Sequence, residues 1–167
     1  MSGVSLSPME RIMRSVVQRY DHEKYWRYRA IVVNPDRGNK IGDLLRLYYI
    51  KRADAFNNAS MGTHRNLGAS FAAPPHLPHG LNGIIVSHNA VIGENCTILH
   101  QVTIGEGRGG APVIGNNVLI GAGAKVIGKV RIGNNVKIGA GCVVMQDVPD
   151  DTTVVPAPVQ MILRKEK

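Results

Sequence analysis

The 167-residue chain carries 20 Lys and Arg against 12 Asp and Glu, a formal net charge of +8, and only 5% of its residues are aromatic. A chain of this length forms one domain, to which a small helical segment can be attached. It has no apolar run of about 20 residues that could span a membrane and no signal-peptide pattern, so we expect a cytoplasmic protein without membrane insertion.

Residues 1–60 are predicted to form a helical segment. Ser7, Pro8 and Glu10 occupy the N-cap, first and third positions of a helix start. Apolar residues follow at helical spacing, namely Ile12, Met13, Val16 and Val17. A second helix is predicted over 41–56, with the apolar residues Ile41, Leu44, Leu45, Leu47, Tyr48 and Ile50. Residues 34–39 predict a turn between the helices, and residues 61–83, rich in Gly, Asn, Pro and His, predict an irregular lead-in.

A six-residue period of Ile and Val then runs over residues 84–155. Four positions after each aliphatic, a second column holds a small residue or Val at nine of ten positions. Neither an amphipathic helix nor a hairpin has this period. It predicts a parallel β-helix in which three hexads make a triangular turn of about 18 residues. The first column is Val86, Ile92, Ile98, Ile104, Ile114, Ile120, Val126, Ile132, Ile138 and Val144.

The period is interrupted once, between Ile104 and Ile114, where the spacing is ten residues. We predict a loop over 106–113, because an insertion cannot stay inside a tightly packed coil and loops on rigid scaffolds often bind ligands. Residues 156–167 are predicted to be a C-terminal tail. The two cysteines, Cys96 and Cys142, fall in the small-residue column and are predicted to be buried space-filling thiols.

Four of the six histidines, His76, His79, His88 and His100, fall between residues 76 and 100, just before the loop. No Cys or carboxylate joins them at a familiar ligand spacing, so no metal site is expected. A general base is the better interpretation, since the pKa of histidine lets it take a proton from a hydroxyl near neutral pH.

The segment from Gly83 onward resembles the left-handed β-helix (hexapeptide-repeat) acyltransferases, most closely the serine O-acetyltransferases and the capsule polysaccharide O-acetyltransferases. The resemblance lies in Gly83-Ile84-Ile85-Val86, Asn89 to Gly93, Val102 to Gly105 and Ile120 to Lys125, and covers residues 76–160. It implies a mainly β fold, a left-handed parallel β-helix with a short N-terminal helical segment. It also implies an acetyl-CoA-dependent acyltransferase.

In that family a His just before the Gly-Ile-Val strand deprotonates the acceptor, and by motif position this residue is His79. The spacing here is one residue longer than usual, and Pro78 replaces the Asp that commonly precedes the base. The carboxylate partner of the base is therefore not identified, with Asp36 and Glu106 as candidates. His100 is expected to be a second residue of the active site. His88 occupies the same outward position in its hexad and is expected to be solvated.

By the same resemblance, acetyl-CoA is expected to bind along a prism edge between two subunits of a homotrimer. The residues expected to bind it are Gly105, Ala122, Lys137 and Ala140. The +8 charge suits the phosphates of this co-substrate. Nucleic acid is not an expected partner, since no basic-aromatic motif or recognition helix is present.

The acceptor stays open between serine, or a similar small molecule, and a sugar of a capsule or exopolysaccharide precursor. Serine acetyltransferases use an Arg-His pair of the loop to bind the amino-acid carboxylate, but here the stretch reads Gly109-Gly110-Ala111-Pro112. Arg108 is a candidate substitute for substrate binding. Other hypotheses are a non-catalytic β-helix scaffold, a nucleic-acid-binding protein and a γ-class carbonic anhydrase with zinc at subunit interfaces.

Overall fold

The computed structural model describes residues 7–37, 41–158 and 161. Within them, short strands stack into three parallel sheets, which form the three faces of a triangular coil. The predicted fold class, mainly β with a β-helix behind a short helical segment, is confirmed. The strands are β1 (Ser60–Met61), β2 (Thr63–His64), β3 (Leu67–Gly68), β4 (Ser70–Phe71), β5 (Ile85–Val86), β6 (Val91–Ile92), β7 (Thr97–Ile98), β8 (Thr103–Gly105), β9 (Val113–Ile114), β10 (Leu119–Ile120), β11 (Lys125–Ile127), β12 (Arg131–Ile132), β13 (Lys137–Ile138), β14 (Val143–Val144) and β15 (Thr153–Val154).

The register of the sheets shows the predicted turn of three hexads. Leu119 pairs with Lys137 and Lys125 pairs with Val143, each 18 residues further along the chain. All ten aliphatics of the first column are buried, as are the members of the second column other than the exposed Arg108. Each coil thus buries its apolar column against the coils above and below, which no single coil could do alone.

Three corners join the sheets, and each is a stack of turns. The His79 corner contains residues 79–83, 99–101, 121–123 and 139–141, and the His88 corner contains residues 62–69, 87–89, 105–112 and 127–129. The Asn corner contains residues 93–95, 115–117, 133–135 and 149–151. The sheet β1-β5-β8-β11-β14 forms the face between the His79 corner and the His88 corner.

A ladder of side-chain hydrogen bonds runs along the Asn corner. Asn95, Asn117 and Asn135 each have positive φ and are linked one to the next by Nδ2–Oδ1 bonds, the ladder ending on Asp151. Asn tolerates this left-handed conformation better than most residues. The ladder therefore satisfies its own amides and fixes the register of successive coils.

The coil begins one turn earlier than the boundary at residue 84 that the sequence predicts. Strand β1 pairs with β5, strand β4 pairs with β6, and His76 forms a bridge with Thr97. Residues 61–83 are therefore not an irregular lead-in. Their periodicity is hidden because a β2-β3 hairpin replaces a plain corner, so the inward residues do not recur every six positions.

Three helices precede the coil: α1 (Pro8–Val17), α2 (His22–Val32) and α3 (Ile41–Phe56). Helices α1 and α3 match the predicted spans, and a 3₁₀ turn at Pro35–Arg37 lies in the predicted turn, whose residues 38 and 39 fall outside the described residues. Most of the tail, residues 159, 160 and 162–167, also falls outside them. None of the described helices is both long and apolar enough to cross a bilayer.

The apolar residues that predicted α1 and α3 are mostly exposed. In α1, Ile12 and Val16 are more than 60% exposed. Of the apolar residues that predicted α3, only Ile50 is buried, and Leu47 is half-buried. Helix α2 is not among the predicted helices, because charged residues interrupt its apolar pattern. Its start is nevertheless readable, since Asp21 caps the helix by accepting a hydrogen bond from the Lys24 amide at 2.8 Å.

Helix α2 covers the open end of the coil with a buried arginine. The Arg29 guanidinium donates from Nη2 to the Ala69 carbonyl at 2.6 Å and to the Met61 carbonyl at 3.2 Å. Its Nε donates to Thr63 Oγ1 at 3.1 Å and to the Met61 carbonyl at 3.3 Å. These bonds satisfy carbonyl groups at the edge of the first coil, which would otherwise remain unpaired. Burial lowers the pKa of Arg29 to about 10.

Candidate active site

His79 and His100 meet at the His79 corner. Their ring centroids are 4.9 Å apart and the rings are nearly perpendicular, at 88°. His79 precedes β5 and is exposed, whereas His100 follows β7 and is partly buried. The Nδ1 atom of His100 is buried and has no hydrogen-bond partner among the described residues. The coil therefore brings together two imidazoles that are 21 residues apart in sequence.

The helical segment supports the turn that carries His79. A Cβ placed on Gly80, where φ is +65°, would lie 3.1 Å from Gln18 Oε1 and 3.6 Å from Tyr20 Cδ1. Asn57 also connects the helical segment to this turn. Its Nδ2 donates to the Gln18 carbonyl, and its backbone carbonyl accepts from the Gly83 amide. This supporting contact is not predictable from the sequence, because it depends on how the helices pack.

The turn that carries His100 is held from both sides along the corner. Gln101 has a positive φ of 59°, and its amide donates to the Asn82 carbonyl at 2.9 Å. The His100 carbonyl accepts from the Gly123 amide at 3.0 Å in the next coil. Gly83 has a positive φ of 66°, and a Cβ there would lie 3.0 Å from Gln101 Cγ, so both its backbone conformation and its surroundings favour glycine.

Neither carboxylate candidate contacts the imidazole pair in this chain. Glu106 lies at the His88 corner, where its Oε2 accepts from Asn89 Nδ2 at 3.0 Å and from Ser87 Oγ at 3.3 Å. Asp36 lies in the exposed 3₁₀ turn. Among the described residues, no carboxylate forms a hydrogen bond or ion pair with His79 or His100.

Three of the four residues expected to bind the donor lie close to the same corner. Ala122 and Ala140 lie directly below His100 in successive turns, where the Gly123 amide bonds to His100 and the Gly141 amide bonds to Ala122. Lys137 begins the strand that leads into the Ala140 turn and is exposed. Gly105 ends β8 at the far edge of the adjoining face, so it lies apart from the other three.

The His79 corner offers backbone donors to a ligand. The amides of Ala122 and Ala140 donate no backbone hydrogen bond within the described part of the chain. A Cβ on Gly123 or Gly141, both with φ near +70°, would meet nothing within 4 Å, so the outer side of these turns is open. Open turns of this kind let a ligand approach the backbone closely.

The insertion forms a tight turn that folds against the next coil. It spans residues 106–112, and Gly107 and Gly110 exchange two backbone hydrogen bonds of 3.1 and 3.3 Å. A Cβ on Gly107 would lie 3.0 Å from the Gly128 Cα. Arg108 is exposed at its tip. The loop belongs to the His88 corner, so Arg108 does not converge with His79 within one chain.

The His88 corner carries a second imidazole pair, which the sequence pattern did not predict. The rings of His64 and His88 have centroids 5.5 Å apart and an angle of 83° between them. The sequence predicts a solvated His88. The hexad pattern does not include the hairpin residue His64, so it cannot place His64 beside His88. No group of three or more His, Cys, Asp or Glu among the described residues is arranged to bind a metal ion.

Two other titratable sites lie outside both corners. Burial raises the pKa of the Asp54 carboxyl to about 6, although the Tyr25 hydroxyl donates to it at 2.6 Å. Burial also raises the pKa of the Cys96 thiol, and Cys96 and Cys142 are both free and buried, in agreement with their predicted space-filling positions.

Comparison with known proteins gives relatives for the coil. The profile of the bacterial transferase hexapeptide (six repeats) matches residues 111–146. The serine acetyltransferase of Synechococcus elongatus is 43% identical over 108 residues, which are 62% of this chain and 43% of that protein. The serine acetyltransferase of Mycobacterium tuberculosis is 37% identical over 116 residues, 67% of this chain and 50% of that protein.

Solved structures agree with the sequence relatives. The Entamoeba histolytica serine acetyltransferase isoform 3, in complex with cysteine, has a TM-score of 0.68 at 27% identity and covers 99% of this chain and 56% of its own. The soybean serine acetyltransferase in complex with serine has a TM-score of 0.60 at 33% identity, covering 84% and 54%. The chain thus spans about half the length of the relatives that it matches. The resemblance predicted from the sequence is confirmed: the chain carries the hexapeptide coil of the serine acetyltransferases and is related to them in sequence and structure.

Proposed function

We propose that the chain is an acetyltransferase that moves an acetyl group from acetyl-CoA to a hydroxyl, with serine as the leading acceptor. The pairing of His79 with His100 at one corner is the observation that supports it most directly. The corner lies beside turns in which the Ala122 and Ala140 amides donate no backbone hydrogen bond within the described residues. The relatives that match the coil are serine acetyltransferases, and the soybean structure is a complex with serine.

In this proposal His79 is the general base. The imidazole takes the proton of the acceptor hydroxyl as the oxygen attacks the thioester carbon, and the thiol of CoA leaves with a proton returned from the imidazolium. The O–H and C–S bonds break while a C–O ester bond and an S–H bond form. Such a base contributes about 100- to 10,000-fold to the rate. His100, 4.9 Å away between ring centroids, orients the base or the acceptor.

We assign donor binding to the amides of Ala122 and Ala140, with Lys137 toward the nucleotide. Gly105 is a fourth candidate, at the other edge of the adjoining face. The open sides of Gly123 and Gly141 leave space for an extended ligand along the corner. Lys137 is exposed and its ammonium suits a phosphate of the donor.

We also propose a homotrimer with parallel coil axes. One corner of a prism is convex, so the His79 corner by itself supplies only one wall of a cleft. A second copy placed beside it supplies the other wall, and a closed ring of three gives three such clefts.

The test is thiol release from acetyl-CoA with serine, homoserine and a panel of sugars, for the wild type and for His79→Ala. We expect turnover with serine and a loss of at least about 100-fold in kcat for the variant. His76→Ala is the matched control, because His76 is exposed and takes part in the coil through its backbone. Equal activity of His79→Ala and the wild type would move the base to another residue, with His100 next.

A sugar hydroxyl is the second candidate acceptor. It is favoured by the loop, which lacks an Arg-His pair and closes on itself between Gly107 and Gly110. Turnover with a sugar and none with serine would establish it. Absence of acetyl-CoA binding and of turnover with every acceptor would instead support a non-catalytic scaffold.

A further inference from the structure

The helical segment contains a cleft that the proposed reaction does not use. It lies between α1, α2 and α3, and its volume is about 270 Å³. Three cationic side chains line it, together with one carboxylate and the half-buried ring of Tyr49; the charged residues are Arg19, Lys24, Arg52 and Asp21. Pockets for drug-sized ligands begin at about 300 Å³, so the cleft suits a smaller molecule.

The charges of the cleft do not neutralise one another. Arg19, Lys24 and Arg52 supply three positive charges and Asp21 supplies one negative charge, which leaves a net charge of +2. The Asp21 carboxylate is engaged with its own helix, since its Oδ1 accepts from the Lys24 amide at 2.8 Å. Within the part of the chain that the structure describes, none of the three cations forms an ion pair with a carboxylate. The cleft is therefore a basic surface without an internal counter-charge.

Aromatic rings position two of these cations. The Lys24 ammonium lies 4.6 Å from the centroid of the Tyr49 ring, and the guanidinium carbon of Arg19 lies 4.8 Å from the centroid of the Phe56 ring. A cation–π contact orients a cation but leaves its charge in place, because the ring has no net charge. An anion entering the cleft would therefore meet cations that are already oriented, which lowers the cost of binding.

The backbone of Arg19 adopts a conformation that is uncommon for arginine. Its φ is 50°, in the left-handed region that favours Gly, Asn and Asp. Strained backbone of this kind persists only where the surrounding structure imposes it, and it is concentrated at ligand sites and switch regions. Here it occurs in the short connection between α1 and α2, at a residue that lines the cleft.

The same connection contacts the turn that carries His79. Gln18 directly precedes Arg19, and its Oε1 lies 3.1 Å from the position that a Cβ on Gly80 would occupy. The Gln18 carbonyl also accepts from Asn57 Nδ2 at 3.0 Å. A ligand that fixes Arg19 would therefore restrain the residue that packs against Gly80, next to the proposed base.

We infer that this cleft is a regulatory site for a small phosphomonoester, whose binding stabilises the turn that carries His79. The regulatory role rests on the proposed function. Above its second pKa of about 6, a phosphomonoester carries close to two negative charges, which match the net charge of the cleft. Its outer oxygens accept charge-assisted hydrogen bonds from Arg19, Lys24 and Arg52, which come from three different parts of the helical segment.

The binding test is isothermal titration calorimetry of the full chain with glycerol phosphate and with inorganic phosphate, at about pH 8 and constant ionic strength. We expect one site per chain, with glycerol phosphate bound more tightly. Arg52→Gln should weaken binding about 10-fold or more, the loss of one charge-assisted bond. Arg52 is exposed and donates no hydrogen bond within the described residues, so the variant should fold. Arg19→Asn, which tolerates the positive φ, should weaken binding to a similar degree.

Arg131→Gln is the matched control, because it makes the same change of charge at an exposed residue of β12, outside the helical segment. It should bind glycerol phosphate as the wild type does. Absence of binding, or equal affinities of Arg52→Gln and the wild type, would overturn the inference. Tighter binding of inorganic phosphate would overturn the choice of a phosphomonoester.

The regulatory test is thiol release from acetyl-CoA and serine, with and without glycerol phosphate at a concentration that saturates the wild type. We expect kcat/KM for serine to rise about 5-fold, the lower end of usual coupling between two sites, in the wild type and in Arg131→Gln. Arg52→Gln should keep the basal rate and lose the response. An unchanged or lower rate in a protein that binds the ligand would overturn the regulatory role. A wild type inactive with every acceptor would overturn the proposed function, whereas the anion site itself is tested by calorimetry alone.

Discussion

The most informative perturbation of the fold is Arg29→Met, which removes the guanidinium that closes the first coil. The side chain forms four hydrogen bonds, to two carbonyls and to the Thr63 hydroxyl, and its guanidinium carbon lies 4.6 Å from the centroid of the Phe71 ring. Bonds to a charged group contribute about 1.5–3 kcal/mol each. Burial lowers the pKa of Arg29 to about 10, equivalent to a cost of about 3 kcal/mol for burying the charge. The free energy of unfolding of the variant should therefore be lower than that of the wild type by about 3 kcal/mol or more.

The assay is urea unfolding followed by circular dichroism, at one fixed protein concentration because association contributes to stability. Arg27→Met is the matched control on the same helix. Arg27 is exposed and lies 5.8 Å from the Tyr28 ring, so its change should stay within about 0.5 kcal/mol. Equal shifts of the two midpoints would refute the conclusion that Arg29 stabilises the open end of the coil.

Three further changes test other parts of the molecule. Burial raises the pKa of Asp54 to about 6, above its unfolded value, so the contribution of Asp54 to stability should fall by about 2 kcal/mol as pH rises from about 4 to 7. Asp54→Asn should remove this slope in urea unfolding at the two pH values, whereas a parallel slope would contradict the assignment. Asn117→Ala should lower the unfolding free energy by about 2 kcal/mol through lost ladder bonds and positive-φ strain. Asn117→Gly is free of that strain, so its unfolding free energy should fall by less. A larger fall for Asn117→Gly than for Asn117→Ala would count against the ladder. Gly121→Ala places a Cβ 2.6 Å from the Ala140 amide nitrogen, whereas Gly123→Ala costs only the strain of an alanine at φ +70°, since its Cβ meets nothing within 4 Å. Gly121→Ala should therefore unfold at the lower temperature of the two, and similar melting temperatures would show that the coils can separate at that corner.

The coil itself was predictable because its information is local. Each hexad carries its own buried aliphatic and its own turn residues, so Ile98, Ile120 and Ile138 can be assigned to one column from spacing alone. The loop was predictable for the same reason, as a break in the spacing. The first coil was not, since the hairpin at Thr63–Gly68 replaces a simple turn and shifts the period.

The candidate site was predictable only in part. Motif resemblance pointed to His79 and His100, but the sequence around either residue does not predict that their ring centroids lie 4.9 Å apart. The pairing of His64 with His88 gave no sequence signal, and the buried position of Arg29 contradicts the usual exposure of a charged residue.

The sequence by itself determined a stack of triangular coils, because stacking is the one arrangement in which every sixth aliphatic can be buried. The tertiary structure decided which residues share a corner, since this depends on the register between turns 18 to 25 residues apart and on an insertion in one of them. It also decided that helices α2 and α3 close the open end and support the His79 turn. These contacts join segments that are distant in sequence. Burial of one such segment against the other produces no periodic pattern in the sequence of either segment.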